Sequence, residues 1–449
     1  MNRREFFKGA IMAGAATVVA PRLVAADGTE EGGGFSAEDG AFAPNGKLIG
    51  SAPVLMNPAE RTMDVAFAVN GDANGWVEVS QSPDMAKTVR VYSGGDNPLM
   101  TIGSKFAVIR ICGLKPATRY WYRIGADRIR WPNDYKMWLV GTETGKKVYS
   151  FATLGSGAEG SFCVINDTHS RENVIGMWLE KIAELKPACM VWNGDARNCY
   201  RTSADAVATF LKPDPAHPEF AAEVPFMFVN GNHDFRGRFA RRMQELVLFR
   251  DVRERAPAFA GLGRNFVQRL GDIALIGLDT GEDKQDTNPI MCGTSRMTKY
   301  RELQTRWLAD EIEKPAVKTA KFKVAFCHIP LFSSNPCANP GDIMPDDADP
   351  RYSSAWAGWQ RTCANLWGPL FVKAGVQLVV TGHTHRFRYD PPAPGRTWAH
   401  VVGGGPDFTP RRSPSYPTVI EGRVEGGALR VTVHDCGNKR IVFDRRFGA

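Results

Sequence analysis

The chain has 449 residues, more than one ordinary hydrophobic core accommodates, so two domains are the default. Hydrophobic content of 43% and charged content of 23% exclude a disordered or fibrous chain; disorder is expected only at the extreme N-terminus and around glycines 32–34. The net charge of +8 is mild, and the basic residues are scattered. Their densest cluster, 236–242, reads as a solvated helix face, so no stable nucleic-acid partner is expected.

The first residues read as an address label. Arg3-Arg4-Glu5-Phe6-Phe7-Lys8 is a twin-arginine pattern, an apolar run over 10–20 follows, and Val24-Ala25-Ala26 offers small residues for cleavage. The run is shorter than the roughly 20 residues of a membrane span, so no transmembrane segment is expected in the mature chain. A signal peptide over 1–26 implies the bacterial twin-arginine export machinery and a periplasmic or secreted protein. Its removal leaves a charge of about +5, a mild basic excess that suits anionic substrates.

Short alternating segments follow. Residues 62–69, 76–80, 88–91, 106–111, 120–124 and 147–151 read as strands, separated by turn-rich stretches such as Asn70-Gly71-Asp72-Ala73-Asn74-Gly75. This is the rhythm of an all-β sandwich, placed at 45–154. After Leu154-Gly155-Ser156-Gly157 the rhythm changes to apolar strands alternating with helical stretches, an α/β domain over 160–445. Strands are expected at 162–165, 188–192, 225–229, 273–278, 322–327 and 377–381. Helices are expected at 173–185, 237–249, 300–313 and 359–374. Strand-like alternation returns at 418–424, 428–434 and 439–443. Of nine cysteines, Cys163, Cys189 and Cys327 fall in apolar strands and read as reduced core residues. Cys292, Cys337 and Cys363 lie in or near loops and are the disulfide candidates, although an exporting cell's oxidising compartment permits a pairing without specifying it.

Five motifs then fall in order: Asp167-Thr168-His169, Gly194-Asp195, Gly231-Asn232-His233-Asp234, a lone His328, and Gly382-His383-Thr384-His385. Each follows the C-terminal end of an expected strand, where open α/β sheets place their sites, and together they read as one site at the edge of one sheet. Singly each is weak: a buried histidine is usually core, and Gly-Asn is usually a turn. Jointly they supply mixed imidazole and oxygen donors, which suit Zn, Fe or Mn better than a hard-cation cage. Two ions held side by side need one bridging carboxylate, for which Asp195 is the natural choice. Such a pair would present a metal-bound hydroxide to phosphorus.

The set resembles the calcineurin-like metallophosphoesterase superfamily, whose pattern runs D-x-H, G-D, G-N-H-D/E, H, G-H-x-H, over 162 to about 443. The resemblance implies a four-layer α/β/β/α domain and two divalent or mixed-valence metal ions. It implies Asp167, His169 and His385 at the first ion, Asp195 bridging, and Asn232, His328 and His383 at the second. It leaves His233 unligated as general acid or charge stabiliser, with Asp234 orienting its imidazole. The turn and aromatic strand at Gly113-Leu114-Lys115-Pro116-Ala117-Thr118-Arg119-Tyr120-Trp121-Tyr122 resemble a fibronectin type III domain. That domain ahead of this catalytic one is the layout of purple acid phosphatases and their bacterial relatives. The chain departs from the purple subgroup twice: Asn198 stands where that subgroup has tyrosine, and His169 is an added histidine. A tyrosinate-to-iron colour is therefore not expected.

The expected reaction is hydrolysis of a small phosphate ester. Alternatives are a phosphodiesterase acting on nucleotides or lipid head groups, and a surface binding protein that keeps the fold without catalysis. Arg197, Arg236 and Arg386 lie close in sequence to the ligands and are candidates to bind phosphate or to form surface ion pairs. The segments 279–297 and 331–355 exceed ordinary loop length, and the second reads as a rim over the site. His217, His400 and His434 read as structural, with His400 the one that could approach the site.

Overall fold

The computed structural model describes residues 46–95, 98–247, 257–332, 354–407 and 415–448. The leader read over 1–26, Cys337 and nearly all of 331–355 lie outside the described residues.

Eight strands come first: β1 (Val54–Met56), β2 (Met63–Ala68), β3 (Ala73–Ser80), β4 (Val89–Tyr92), β5 (Phe106–Ile111), β6 (Arg119–Arg130), β7 (Trp138–Thr144) and β8 (Tyr149–Ala152). They make a sandwich. One layer holds β1, β2 and β5; the other runs β4-β3-β6-β7, with β8 also on β6. Val65, Phe67, Val77, Ile109, Tyr122 and Phe151 fill the space between. Alternate residues of β5 are buried, as period-2 side chains require. The turn before β6 is pinned by Tyr120, whose hydroxyl accepts the Lys115 N–H at 2.9 Å, a corner device of such sandwiches.

The second part contains β9 (Ser161–Ile165), α1 (Glu172–Leu185), β10 (Cys189–Asn193), α2 (Ser203–Phe210), β11 (Phe226–Val229), β12 (Phe266–Leu270), β13 (Ile273–Gly277), α3 (Met297–Glu311), β14 (Phe322–Phe326), α4 (Ser354–Ala374), β15 (Leu378–Thr381), β16 (Arg388–Asp390), β17 (Ala399–Val402), β18 (Thr418–Glu425), β19 (Ala428–Asp435) and β20 (Arg440–Phe447). Two sheets pack face to face. Their interface holds Phe162, Val164, Val191 and Val229 from one side and Phe322, Val324, Phe326 and Val380 from the other. The opposite face of the first sheet buries Cys163, Ile165 and Trp192 under α1 and α2, while Trp307 and Trp367 of α3 and α4 cover the second sheet. Helix, sheet, sheet, helix is the four-layer order. Strands buried on both faces lose the period-2 signal and read as continuous apolar runs. Each large apolar side chain fully buried this way contributes about 1.5–3 kcal/mol. Lys186, at φ 48°, ends α1 in the left-handed region, and Pro187 prevents its continuation.

The two parts share a sheet. Its order is β20-β19-β18-β9-β10-β11-β1-β2-β5, so one layer of the sandwich extends the first sheet of the α/β part. β1 runs parallel to β11, with Met56 opposite Phe226. Tyr122 adds a hydrogen bond from its hydroxyl to the Ala222 carbonyl at 2.6 Å.

Three expectations need correction. The helix expected at 237–249 is a 3-10 stretch over Phe239–Glu245. Its first N–H, at Phe239, is committed to the Tyr200 carbonyl at 3.0 Å, which holds the backbone against the neighbouring loop. Cys363 is no loop residue; it is buried on α4 in the core over the second sheet. The motif residues are not at one sheet's edge, as described below. Among the described residues no helix is long and apolar enough to cross a membrane.

Candidate metal centre

Two sheets contribute to the site. Asp167, Asp195 and Asn232 follow β9, β10 and β11 of the first, whereas His328 and His383 follow β14 and β15 of the second. The strands of each set run parallel, so their C-terminal ends meet across the sheet interface. Asn193 joins the two sheets there, its amide donating to the carbonyls of Cys327 and Val380, each at 3.2 Å.

The loops that carry the candidate donors are strained. Asp167, His169, Ser170, Asp195, His383 and His385 all have positive φ, between 47° and 71°. Left-handed backbone costs an L-residue on the order of 1 kcal/mol. The loops are held in place by backbone bonds from Asp167 N to Gly194 O and from His169 N to Asp195 O, at 3.0 and 2.9 Å. Gly231 is required for close approach: a Cβ there would stand 2.2 Å from Asp195 Oδ1.

The donor atoms converge in overlapping groups: Asp167 with His169 and His385, and Asp195 with His328 and His383. A third group joins His169, Asp195 and His233. His385 Nε2 is 3.4 Å from Asp167 Oδ1 and 3.1 Å from His169 Nε2. His328 Nε2 is 3.2 Å from Asp195 Oδ2 and 3.6 Å from Asp167 Oδ1. His383 Nδ1 is 2.9 Å from Asn232 Oδ1. Donors bound ~2.1 Å from one ion sit ~3–4 Å apart, so these separations fit metal ligation. Asp167 Oδ1 and His328 Nε2 are buried without a hydrogen-bond partner, the expected state of atoms reserved for an ion.

Partners behind the ligands fix their direction. His328 Nδ1–H donates to the Asn193 carbonyl at 2.8 Å, and His169 Nδ1–H donates to Asn198 Oδ1 at 2.7 Å. Both leave Nε2 facing the cluster. Asp167 Oδ2 accepts from Asn166 Nδ2 and from the His383 N–H, each at 2.7 Å. Thus the two departures from the purple subgroup, His169 and Asn198, form one unit.

The electrostatics call for a cation. Burial disfavours charge on Asp167 and Asp195, but the histidines outweigh it: Asp167 is held well below the usual carboxylate range and Asp195 falls to about 2. Burial likewise opposes charge on His328, yet Asp195 and Asp167 push it up to about 10. Two buried carboxylates that favour positive charge on His328 this strongly would favour a metal cation in the same place.

His233 and Asp234 occupy different surroundings. His233 is partly open, with 27% of its side chain exposed, and its Nε2 lies 4.0 Å from Asp195 Oδ2. Its Nδ1 is 3.2 Å from the Asn198 carbonyl. Burial, helped by Arg236 and His169, lowers its pKa against the pull of Asp195. Asp234 does not orient this ring. Its Oδ2 accepts the N–H groups of Asp195 and Gly231, each at 2.8 Å, and its Oδ1 accepts the Tyr200 hydroxyl at 3.0 Å. It faces away from the imidazole because these buried donors need an acceptor.

The three arginines separate. Arg236 Nη1 lies 3.0 Å from both ring nitrogens of His233. Arg197 pairs with Asp205 at 2.8 Å, and Arg386 is exposed. His400 Nε2 is 2.9 Å from Thr381 Oγ1 and its Nδ1 3.3 Å from Asp390, a structural setting away from the donor groups. Sequence reasoning missed Glu282, which is 1% exposed and holds Arg236. The sequence singled out its segment, 279–297, only for its length, and no motif marks the residue.

Two solved structures are similar in fold. The purple acid phosphatase PPD1 isolated from yellow lupin (Lupinus luteus) seeds has a TM-score of 0.59 and 14% identity, over 89% of this chain and 75% of that one. A structure of PhoD has a TM-score of 0.54 and 12% identity, over 89% of this chain and 92% of that one. No curated protein sequence matches the chain. The sequence profile described as calcineurin-like phosphoesterase matches residues 160–387, which span the motifs from Asp167 to His385. The chain belongs to the calcineurin-like phosphoesterase family.

Proposed function

We propose that the protein is an exported hydrolase of small phosphate esters that works with two metal ions, drawn from Fe, Mn and Zn. The observation that carries the reading is the pair of donor groups on either side of Asp195, with Asp167 Oδ1 and His328 Nε2 buried and unsatisfied between them. Asp167, His169, His385 and Asp195 would hold the first ion, and Asp195, Asn232, His328 and His383 the second. Ions so placed lower the pKa of a coordinated water and draw charge from a phosphoryl oxygen. His233, at the open side of the cluster, is positioned to donate a proton to the leaving oxygen or to neutralise its charge. Asp234 is assigned to the scaffold beneath the loops.

The domain division accompanies this reading: a signal peptide over 1–26, a fibronectin type III-like sandwich over 45–154 and the catalytic domain over 160–445. The sandwich of a three-stranded and a five-stranded layer supports the second of these. Export rests on the Arg3-Arg4 pattern and the apolar run behind it.

Metal analysis of the purified protein, with parallel assays on p-nitrophenyl phosphate and bis(p-nitrophenyl) phosphate, tests the function. Bound transition metal and turnover of the monoester are expected, and both are lost to a chelator. Preference for the diester moves the assignment to a phosphodiesterase. Absence of metal and of both activities leaves a non-catalytic binding protein. His233→Ala is expected to keep its metal while turnover falls ~10²–10⁴-fold; metal loss instead makes His233 a ligand.

A further inference from the structure

The loop after β13 carries charge that the ligand set does not use. Arg236 Nε and Nη2 donate to Glu282 Oε2 and Oε1 at 3.1 and 2.8 Å, a two-point contact. Asp283 Oδ1 lies 3.3 Å from the same guanidinium, and Lys284 Nζ balances Asp283 at 2.6 Å. The loop is itself fastened. Buried Arg301 of α3 donates to the carbonyl of Thr280 at 2.9 and 2.7 Å and to that of Glu282 at 3.1 Å. A buried carboxylate is costly unless paired, and a fork against a planar guanidinium is the pairing that also fixes orientation.

Arg236 meets His233 in an unusual way. Its Nη1 is 3.0 Å from Nδ1 and also 3.0 Å from Nε2. An atom in the ring plane at equal distance from both would overlap the carbon between them, so Nη1 stands out of the ring plane and directs its N–H at one face. The in-plane directions of both nitrogens stay available. Nδ1 has the Asn198 carbonyl at 3.2 Å, and Nε2 is on the side of Asp195.

We infer that Glu282 and Arg236 are positioning residues: Glu282 fixes Arg236 by its two-point contact, and Arg236, with Nη1 against one face of the ring, holds the His233 ring plane so that Nε2 faces the space above Asp195. Arg236 is thereby a support for the histidine and is not spent on phosphate. The inference rests on the reading of His233 as the group that serves the leaving oxygen. It requires a fork that grips Glu282 with Nε and Nη2 while Nη1 meets the ring, which separates Arg from Lys.

The test uses the full metal-loaded chain and the variants Arg236→Lys, which keeps charge without the fork, and Glu282→Gln, which keeps shape without the carboxylate. Diethyl pyrocarbonate modification of His233 at pH 8, followed by peptide mass spectrometry, reads ring freedom without any assay of turnover. Its rate is expected to rise several-fold in both variants, while His217 on a distant loop stays unchanged; an unchanged rate at His233 in both overturns the inference. In turnover, each variant should lose ~10–100-fold in kcat on phenyl phosphate, and less on p-nitrophenyl phosphate, whose leaving group needs little help. The same changes made on His233→Ala should cost nothing further. An equal loss in that background also overturns the inference. If the wild type hydrolyses neither ester, the phosphoesterase reading fails, and the modification rates still decide the positioning role.

Discussion

At the residue scale, His169 and Asn198 are a candidate metal donor and the group that orients it. The Asn198 amide oxygen takes the Nδ1 proton of His169, which fixes the tautomer and aims Nε2 at Asp167 and His385. Removing such a partner lowers metal affinity about 10–100-fold. Asn198→Ala is therefore expected to lose metal to a competing chelator in that range, with the fold intact by circular dichroism. The donor residues that converge were readable in the sequence because each motif falls at a strand end. The guides were not: Asn198 was visible only as a departure from tyrosine, and its contact to His169 crosses 29 positions. Glu282 was hidden for a similar reason, since nothing in a Gly-Glu-Asp-Lys loop distinguishes a buried carboxylate from a solvated one.

At the element scale, the loops after β10 and β11 act as one piece. Asp234 joins them by accepting two backbone N–H groups, and Tyr200 brings in the segment ahead of α2. Asp234→Ala leaves these three donors buried. At ~1–3 kcal/mol for each unsatisfied group, the variant is expected to lose about 3 kcal/mol or more of stability, measured by denaturant titration. A loss under 1 kcal/mol would remove Asp234 from the scaffold. Strand positions were legible in the buried apolar runs of β9, β10 and β14, whereas β7, with an exposed apolar start at 138–140, was missed. β1 was not, because Val54–Met56 is too short to show a period and is buried by strands far away in sequence. The 237–249 helix failed for a local reason: the Gly237 backbone, at φ 96°, is pressed against Tyr200. The assignment of the ligands to one sheet failed because strand order within a sheet cannot be read from apolar runs buried on both faces.

At the scale of the whole molecule, the sandwich and the catalytic part are one continuous sheet on the side of β11. A chain begun at residue 158 would expose the apolar strand Phe226–Val229 as an open edge. Exposed edges of this kind template aggregation. The truncated chain is expected to elute as aggregate on size exclusion, whereas a folded monomer would show that the sandwich is dispensable. The shared sheet also has a temporal meaning. Met56 and Phe226 pair across about 170 residues, and contacts that distant close late and slowly. During synthesis, the layer of β1, β2 and β5 leaves the ribosome long before its neighbour exists. The half-made protein therefore carries a sticky strand whose cover is still being translated, and any delay between those points lengthens the interval in which a chaperone is needed.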